Sequence, residues 1–185
     1  MIDKEPYVEV LYENQWLSLK KVVKPDVGIN GYVFSHASRC EGKIVSLLPF
    51  RYFEKEGNIE IQFLIRKEIT PCWGLQFEYS SITGGVENND PVTTAIHEMA
   101  EEAGYEIKES DLLNLGECYG SKSSDSIYSL YGVNLTGKKK TLDASGDGSE
   151  LEKSGTTEWK YLEDIMQYKD AQLFVSLSRL LEKII

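Results

Sequence analysis

The stretch from Gly84 to Gly104 reads GGVENNDPVTTAIHEMAEEAG and decides most of what the sequence says about the fold. Asp90 is a favourable helix N-cap, Pro91 fits the first helical position, and Gly104 fits the position that closes a helix. Between them, apolar residues recur at i, i+3, i+4, i+7 and i+11, the spacing of one helix face; they are Val92, Ala95, Ile96, Met99 and Ala103. The stretch therefore predicts a turn, a helix that begins after Asp90, and a second turn at Gly104.

Three carboxylates of this helix, Glu98, Glu101 and Glu102, have the spacing i, i+3 and i+4 and share one side of it. Like charges at this spacing weaken a helix, and negative charge near the C-terminus opposes the helix dipole. A bound divalent cation would turn the repulsion into coordination, and hard oxygen ligands suit Mg²⁺ or Mn²⁺. The alternative is a solvated acidic face, but the flanking turns and the Asp-Pro cap favour a metal site.

The same stretch resembles the signature box of the Nudix hydrolases, G-x5-E-x7-R-E-U-x-E-E-x-G-U, where U is a bulky apolar residue. The residues from Glu98 to Tyr105 match its end, E-U-x-E-E-x-G-U, and residues 81–86 (SITGGV) resemble the strand and turn that open it. The resemblance implies an α+β fold, an α/β/α sandwich with a mixed sheet in which the box forms a loop–helix–loop. The order strands, helix, strands, helix that we infer from the rest of the sequence agrees with this fold.

Two positions depart from the box, because Asn89 stands in the place of its first Glu and His97 in the place of its Arg. In the family, these two residues support the metal-binding carboxylates. The loss of one negative and one positive group leaves the local charge balanced, so the two changes can compensate. The alternative is a turn residue without a chemical role for Asn89, and a surface histidine for His97.

The segments around the box indicate strands. Residues 7–12 and 16–23 predict an antiparallel hairpin, and further strands are predicted at residues 31–36, 43–49, 59–66, 114–119, 126–135 and 158–162. The apolar pattern after Ile165 predicts one or two C-terminal helices. Trp16 in the hairpin, the strand before the box and the closing segment WKYLED resemble the ADP-ribose pyrophosphatase-like branch of the family. We therefore expect a β-rich N-terminal extension at residues 1–40 and a Nudix hydrolase domain at residues 41–185.

The resemblance implies roles for individual residues of the box. Glu98 and Glu102 are the best candidates for metal ligands, and Glu101 is a third. The carbonyl of Gly84 matches the backbone ligand of the family. With a cation bound, these groups would neutralise the phosphates of a substrate and orient a water molecule for attack.

A catalytic base is also implied. In the ADP-ribose branch it is a Glu on a mobile loop after the box, and residues 145–152 (SGDGSELE) occupy that region. They contain Glu150 and Glu152, of which we prefer Glu150. For each of them the alternative is an ordinary solvated carboxylate, in which case a box Glu would serve as the base.

Residues before the box are candidates for substrate contacts. Arg66 ends a predicted strand and could bind a substrate phosphate, the alternative being a surface arginine. Trp73, Phe77 and Tyr79 could form the wall of a base-stacking pocket, with packing in the core as the alternative.

The composition narrows the class of protein. The chain has 185 residues, with 20 Lys and Arg against 30 Asp and Glu and a net charge of −10. This balance argues against a nucleic-acid-coating protein, since phosphate backbones need a basic surface. No apolar run approaches the roughly 20 residues of a membrane span. The charged N-terminus lacks a signal-peptide core, and three widely spaced cysteines indicate a reduced setting. We expect a cytoplasmic protein that binds neither nucleic acid nor membranes.

Together these features predict a Mg²⁺- or Mn²⁺-dependent hydrolase that cleaves the diphosphate of a nucleoside diphosphate linked to another moiety. ADP-ribose or a nucleotide sugar is the favoured substrate. The alternatives are a nucleoside triphosphate pyrophosphohydrolase with the same box and a catalytically weak nucleotide-binding module. The retained carboxylates favour hydrolysis, whereas Asn89 and His97 favour the binding module. The hairpin around Trp16 predicts a homodimer, because a two-stranded apolar ribbon is marginal alone and the resembled branch assembles this way.

Overall fold

The computed structural model describes residues 5–86, 88–142 and 154–185. Among these residues, no helix is both long and apolar enough to cross a membrane. The strands are β1 (Tyr7–Glu13), β2 (Ser18–Lys24), β3 (Ile29–His36), β4 (Lys43–Lys55), β5 (Asn58–Ile69), β6 (Phe77–Ser80), β7 (Ile82–Gly85), β8 (Leu112–Tyr119), β9 (Ile127–Asn134) and β10 (Thr156–Lys160). The α-helices are α1 (Pro91–Glu101), α2 (Leu162–Ile165) and α3 (Ala171–Ile184).

The larger sheet is mixed. Its order is β10-β5-β4-β9-β8, with β6 added to β5 and β7 added to β4. Strand β4 pairs with β9 in parallel and with β5 and β7 in antiparallel orientation. The antiparallel register of β7 on β4 sets Gly84 opposite Val45 and thereby fixes where the turn into α1 begins.

The central strands bury both faces, and each face has its own hydrophobic core. Val45 and Leu47 of β4 pack in the core that α1 covers, whereas Leu48 and Phe50 pack in the core that α3 covers. This alternation follows from the period of two residues along a strand. The predicted α+β sandwich with a mixed sheet is confirmed.

The N-terminal strands form a separate antiparallel sheet of order β1-β2-β3. The predicted hairpin is therefore confirmed, and it gains β3 as a third strand. The main-chain N–H of Ser35 donates to the carbonyl of Ser123 at 2.9 Å, and the Tyr32 hydroxyl donates to the carbonyl of Lys122. These bonds attach the small sheet to the loop between β8 and β9.

Several predicted boundaries were wrong. Strand β4 continues past Pro49 to Lys55, where Glu56 and Gly57 (φ 53° and 81°) form a tight turn into β5. Strand β10 ends at Lys160 rather than at residue 162, because the carboxylate of Asp164 accepts from the N–H of Tyr161 at 3.2 Å and begins α2. Strand β6 was not predicted as a strand.

Glu158 on β10 gives a pH-dependent contribution to stability. Its carboxylate accepts from Lys160 at 2.6 Å and from Lys67 at 3.0 Å. The hydrogen bond from Lys160, followed by that from Lys67, lowers the pKa of Glu158 to about 2 from the usual 4.5. A lowered folded-state pKa stabilises the protein above the unfolded-state value, and this stabilisation is lost as the pH falls from about 4.5 towards about 2.

We expect Glu158→Gln to lower the free energy of unfolding at pH 7 by about 1 kcal/mol. The full pKa shift would correspond to roughly 3 kcal/mol, but one third of the side chain is exposed and water screens the pair. Urea unfolding between pH 7 and pH 3 should show the difference from the parent shrinking as the pH falls. Glu60→Gln, at a carboxylate 3.9 Å from Lys55, is the control, with a smaller expected effect. A constant difference across this range would contradict the assignment.

Candidate functional site

Helix α1 begins as predicted. The carboxylate of Asp90 accepts from the N–H groups of Val92 and Thr93, both at 3.1 Å, and from the Thr93 hydroxyl at 2.6 Å. The hydroxyl contact, followed by the N–H of Thr93, holds the pKa of Asp90 below its usual value. At the other end Gly104 has φ +74°, a left-handed conformation that suits glycine. The end of the helix that carries the glutamates is therefore fixed in place.

The turn before α1 explains Asn89. Asn88 and Asn89 have φ values of 51° and 57°, in the left-handed region that asparagine tolerates better than most residues. The side-chain oxygen of Asn89 accepts a hydrogen bond from the Lys43 ammonium. The geometry supports the interpretation of Asn89 as a turn residue, one that is also tied to the start of β4.

Glu98 lies directly against the backbone of β7. A Cβ atom built on Gly84 would overlap the Glu98 carboxylate and lie 2.5 Å from its Cγ. Only glycine leaves room for this approach, which brings the carboxylate next to the main chain of Gly84. The resemblance implies that both residues are metal ligands, and the fold brings them together.

Gly84→Ala tests whether this close approach serves a metal site. The methyl group would force Glu98 away from β7, and we expect the Mg²⁺ concentration at half of the metal-induced rise in melting temperature to increase about tenfold, as for other ligand-orienting changes. Gly120→Ala is a matched control outside the cleft, because its Cβ would meet Tyr128 Cε2 at 2.8 Å. If Gly84→Ala and Gly120→Ala respond to Mg²⁺ alike, Glu98 is not a metal ligand.

The three glutamates line one cleft of about 640 Å³ between α1 and the N-terminal part of the chain. Glu102 is buried, Glu98 half-buried and Glu101 exposed. The cleft is also lined by Trp16, Ala37, Arg39 and Cys40 from the N-terminal part of the chain, and by Gly84 and Gly85. The cleft is thus acidic along the helix, and an arginine, Arg39, also contributes to its lining.

His97 also lines this cleft, although its side chain is exposed. His97 is therefore a surface histidine, as one interpretation held, and the surface on which it lies is that of the cleft. Within residues 5–86, 88–142 and 154–185, no group of three or more His, Cys, Asp or Glu side chains is close enough to hold a metal ion. The carboxylates and the Gly84 carbonyl are hard oxygen donors of the type that Mg²⁺ binds, but they do not form a closed coordination set.

Sequence reasoning missed Arg39 as a site residue and treated Trp16 only as part of a hairpin. Arg39 lies in a short 3₁₀ turn (Ser38–Cys40) before β4, and its Cζ lies 5.3 Å from the ring centroid of Trp16. Arg39 also lines a second depression of about 450 Å³, which shares Cys40 and Gly85 with the cleft. No motif or periodicity marks Arg39, because only the folding of the chain brings it to the cleft that the glutamates line.

Arg66 is not the surface arginine that one interpretation favoured. Its side chain is 2% exposed, and its Nε lies 3.3 Å from Glu68 Oε2 and 3.8 Å from Glu102 Oε2. Its Nη1 donates to the carbonyl of Glu102 at 3.4 Å. Direct binding of a substrate phosphate by Arg66, which the sequence predicts, finds no support in this burial.

The aromatic residues before the box lie elsewhere. Tyr79 stacks on Tyr168 with ring centroids 4.4 Å apart, and together with Trp73 it lines a different depression. Trp73 and Phe77 are about half exposed, so they are not core residues either. Among the described residues, Trp16 is the aromatic side chain that lines the cleft.

The predicted base, Glu150 or Glu152, falls outside the described residues. The described residues on either side of this segment lie at the end of α1. The N–H groups of Thr141 and Leu142 donate to the carbonyl of Gly104 at 3.0 and 3.2 Å, and a Cβ on Gly155 would lie 2.9 Å from Arg66 Nε. The described residues on either side thus lie close to Gly104 and to Arg66, the residue that contacts Glu102.

Comparison with known proteins agrees with this architecture. No protein-family model and no curated protein sequence matches the chain. A solved structure of an ADP compounds hydrolase has a similar fold, with a TM-score of 0.68, 14% sequence identity, and coverage of 98% of this chain and 95% of that one. At this identity the likeness shows a shared fold across nearly the whole length.

Proposed function

We propose that this protein is a metal-dependent hydrolase that cleaves the diphosphate of a nucleoside diphosphate linked to another moiety, with ADP-ribose or a nucleotide sugar as the favoured substrate. The observation that carries the proposal is the alignment of Glu98, Glu101 and Glu102 along one cleft, with Glu98 against the backbone of Gly84. The box-like sequence of this segment and the fold shared with an ADP compounds hydrolase support it.

In the proposed mechanism, Glu98 and Glu102 would hold Mg²⁺ or Mn²⁺, with Glu101 and the Gly84 carbonyl as further donors. The bound cation would supply neutralisation of charge on the diphosphate oxygens. Glu150 accepts the proton of the attacking water, with Glu152 as the second candidate. Arg39 lines the same cleft as the acidic helix, and we propose that its guanidinium binds a phosphate of the substrate.

The shape of the site favours a substrate with groups on both sides of the diphosphate. The cleft and the neighbouring depression meet at Arg39, Cys40 and Gly85. A diphosphate bound at Arg39 would leave one depression for each attached group, with the Trp16 ring available for stacking against a base. A nucleoside triphosphate needs only one such group, so we rank its pyrophosphohydrolysis second.

The experiment that tests the proposal is a panel of nucleotides incubated with Mg²⁺ or Mn²⁺, with the products identified by mass. The panel contains ADP-ribose, nucleotide sugars and nucleoside triphosphates. Addition of water across the diphosphate of ADP-ribose should give AMP and ribose 5-phosphate. Release of pyrophosphate from triphosphates alone would favour the second candidate. Binding without cleavage at high enzyme concentration would support the nucleotide-binding module, which the positions of Asn89 and His97 motivate.

The proposed setting is a reducing compartment such as the cytoplasm. Cys40, Cys72 and Cys118 are all free thiols. Free thiols are typical of proteins in the cytosol, where disulfides rarely persist.

The N-terminal sheet is proposed to form a homodimer interface. Val8 and Val10 of β1 are 56% and 52% exposed, and Tyr32 of β3 is 51% exposed on the same small sheet. Exposed apolar patches of this kind mark contact surfaces. A second copy of the chain is the occupant that we propose, because burial of its identical apolar strands would complete the sheet in a symmetric way.

Light scattering at micromolar concentration should therefore give a mass near twice 21.0 kDa. Val8→Glu combined with Val10→Glu is expected to halve this mass, because two buried charges cost several kcal/mol at an apolar interface. Ile59→Glu is the control, since Ile59 is 79% exposed near the start of β5 and belongs to the larger sheet, not to the N-terminal sheet. A monomeric parent would overturn the dimer and weaken the likeness to the ADP-ribose branch.

A further inference from the structure

The charged group buried most deeply beside the site is the guanidinium of Arg66. It extends from β5 towards the end of α1, where Nε lies 3.8 Å from Glu102 Oε2 and Nη1 donates to the Glu102 carbonyl at 3.4 Å. Glu68 Oε2, two residues along the same face of β5, lies 3.3 Å from Nε. One guanidinium thus contacts both the main chain and the side chain of Glu102.

Burial of an arginine is costly unless its contacts are well formed. Glu102 is the residue after the last turn of α1, where helical carbonyls lack intrahelical partners and a positive charge complements the helix dipole. The hydrogen bond from Arg66 to the Glu102 carbonyl provides a donor for this end of the helix and places a positive charge there. Its contact with the carboxylate then restricts where that group can lie relative to the cleft.

We infer that Arg66 is a positioning residue that holds the Glu102 carboxylate in place for the reaction. The inference rests on the proposed function, because it takes Glu102 as a metal ligand. Side chains that orient a ligand from outside the metal site commonly change metal affinity or activity by 10- to 100-fold when they are altered. In this role Arg66 acts through Glu102 and not through the substrate.

Gly155 leaves open the space that the Arg66 guanidinium occupies. A Cβ atom on Gly155 would overlap the Arg66 guanidinium and lie 2.9 Å from its Nε. Absence of a side chain at position 155 thus makes room for the planar group beside Glu102. Gly155→Ala consequently pushes on the guanidinium without altering any charge, and it provides a second way to disturb the same contact.

The experiment compares Arg66→Lys and Gly155→Ala with Arg179→Lys. Arg66→Lys keeps the positive charge but removes the forked geometry. Arg179 on α3 is the matched control, since its Nη1 also donates to main-chain carbonyls. The acceptors are Leu115 at 2.8 Å and Glu117 at 3.1 Å, both on β8. Each protein is titrated with Mg²⁺ alone while its melting temperature is measured, and kcat and KM are determined with ADP-ribose.

The Mg²⁺ midpoint is the Mg²⁺ concentration at half of the metal-induced rise in melting temperature. For Arg66→Lys and Gly155→Ala we expect this midpoint to rise about tenfold or more and kcat to fall about tenfold or more. KM should stay within about threefold of the parent, as expected when an interaction with the transition state rather than the ground state is lost. Arg179→Lys should lower the melting temperature without metal but leave the Mg²⁺ midpoint unchanged.

The inference would be overturned if Arg66→Lys and Gly155→Ala lowered the melting temperature but left the Mg²⁺ midpoint and kcat as in the parent. Arg66 would then be purely structural. If Arg66→Lys does not fold, Gly155→Ala decides between the two outcomes. A parent that neither responds to Mg²⁺ nor cleaves any member of the nucleotide panel would instead overturn the proposed function and this role with it. The two failures are distinguished by the parent alone.

Discussion

Replacement of Glu98 and Glu102 together by glutamine is expected to abolish the metal-induced rise in melting temperature. A ligand of the native state stabilises it by mass action, and at about 100 times its Kd the gain is roughly 2.7 kcal/mol. Glutamine keeps the size of the side chain but removes the charge that a divalent cation needs. Calorimetric scans with and without Mg²⁺ or Mn²⁺ measure the effect as a difference, which cancels the change in stability of the metal-free variant.

Turnover of the same variant should fall by about 10²- to 10³-fold or more, the range observed when one preorganised stabilising group is lost. Glu109→Gln combined with Glu117→Gln is the control for the change in net charge, because it also removes two negative charges, but at exposed positions outside the cleft. If the Glu98/Glu102 variant responds to metal as the parent does, the metal site lies elsewhere and the reading of the acidic helix is wrong.

The parts of the fold that the sequence predicted well depend on local signals. Asp90 caps α1 through N–H groups two and three residues away, and Gly104 ends it with its own φ of +74°. Contacts of such short range can be read from adjacent residues. Pro49, the last residue of the predicted strand, shows the opposite case, since β4 continues to Lys55. The pairing of β4 with β9 covers eight positions and includes Pro49, although proline has no N–H group to donate.

The parts of the site that the sequence did not predict depend on long-range contacts. Glu102 was identified from its spacing with Glu98, but its contact with Arg66 joins residues 36 positions apart. Arg39 reaches the cleft because β4 and β7 bring the N-terminal segment next to α1. No pattern among residues that are neighbours in the sequence predicts these long-range contacts. Comparison of the two arginines shows why residue type alone misleads, since Arg66, expected at the substrate, is buried, and Arg39, not expected there, lines the cleft.

The identity of the catalytic base gives the second large expected effect. Proton abstraction from water needs a carboxylate within hydrogen-bond reach of the nucleophile, directly or through one water. Carboxylates that bind a cation are weaker bases, because the positive charge favours their ionised form. A carboxylate outside the box is therefore the better base. Glu150 precedes Gly155 by five residues in the sequence, and Gly155 borders the Arg66 guanidinium beside Glu102.

We therefore expect Glu150→Gln to lower turnover by about 10²-fold or more, as is typical for loss of a general base. The Mg²⁺ midpoint should change little and KM only modestly, because the base acts on the water and not on the cation. Glu152→Gln is the control for charge and position in the same segment, with a smaller expected effect. Near-parent turnover in both single variants and in the double variant would show that the base comes from the box helix itself. Glu101, the exposed member of the triplet in the cleft, would then be the first residue to replace.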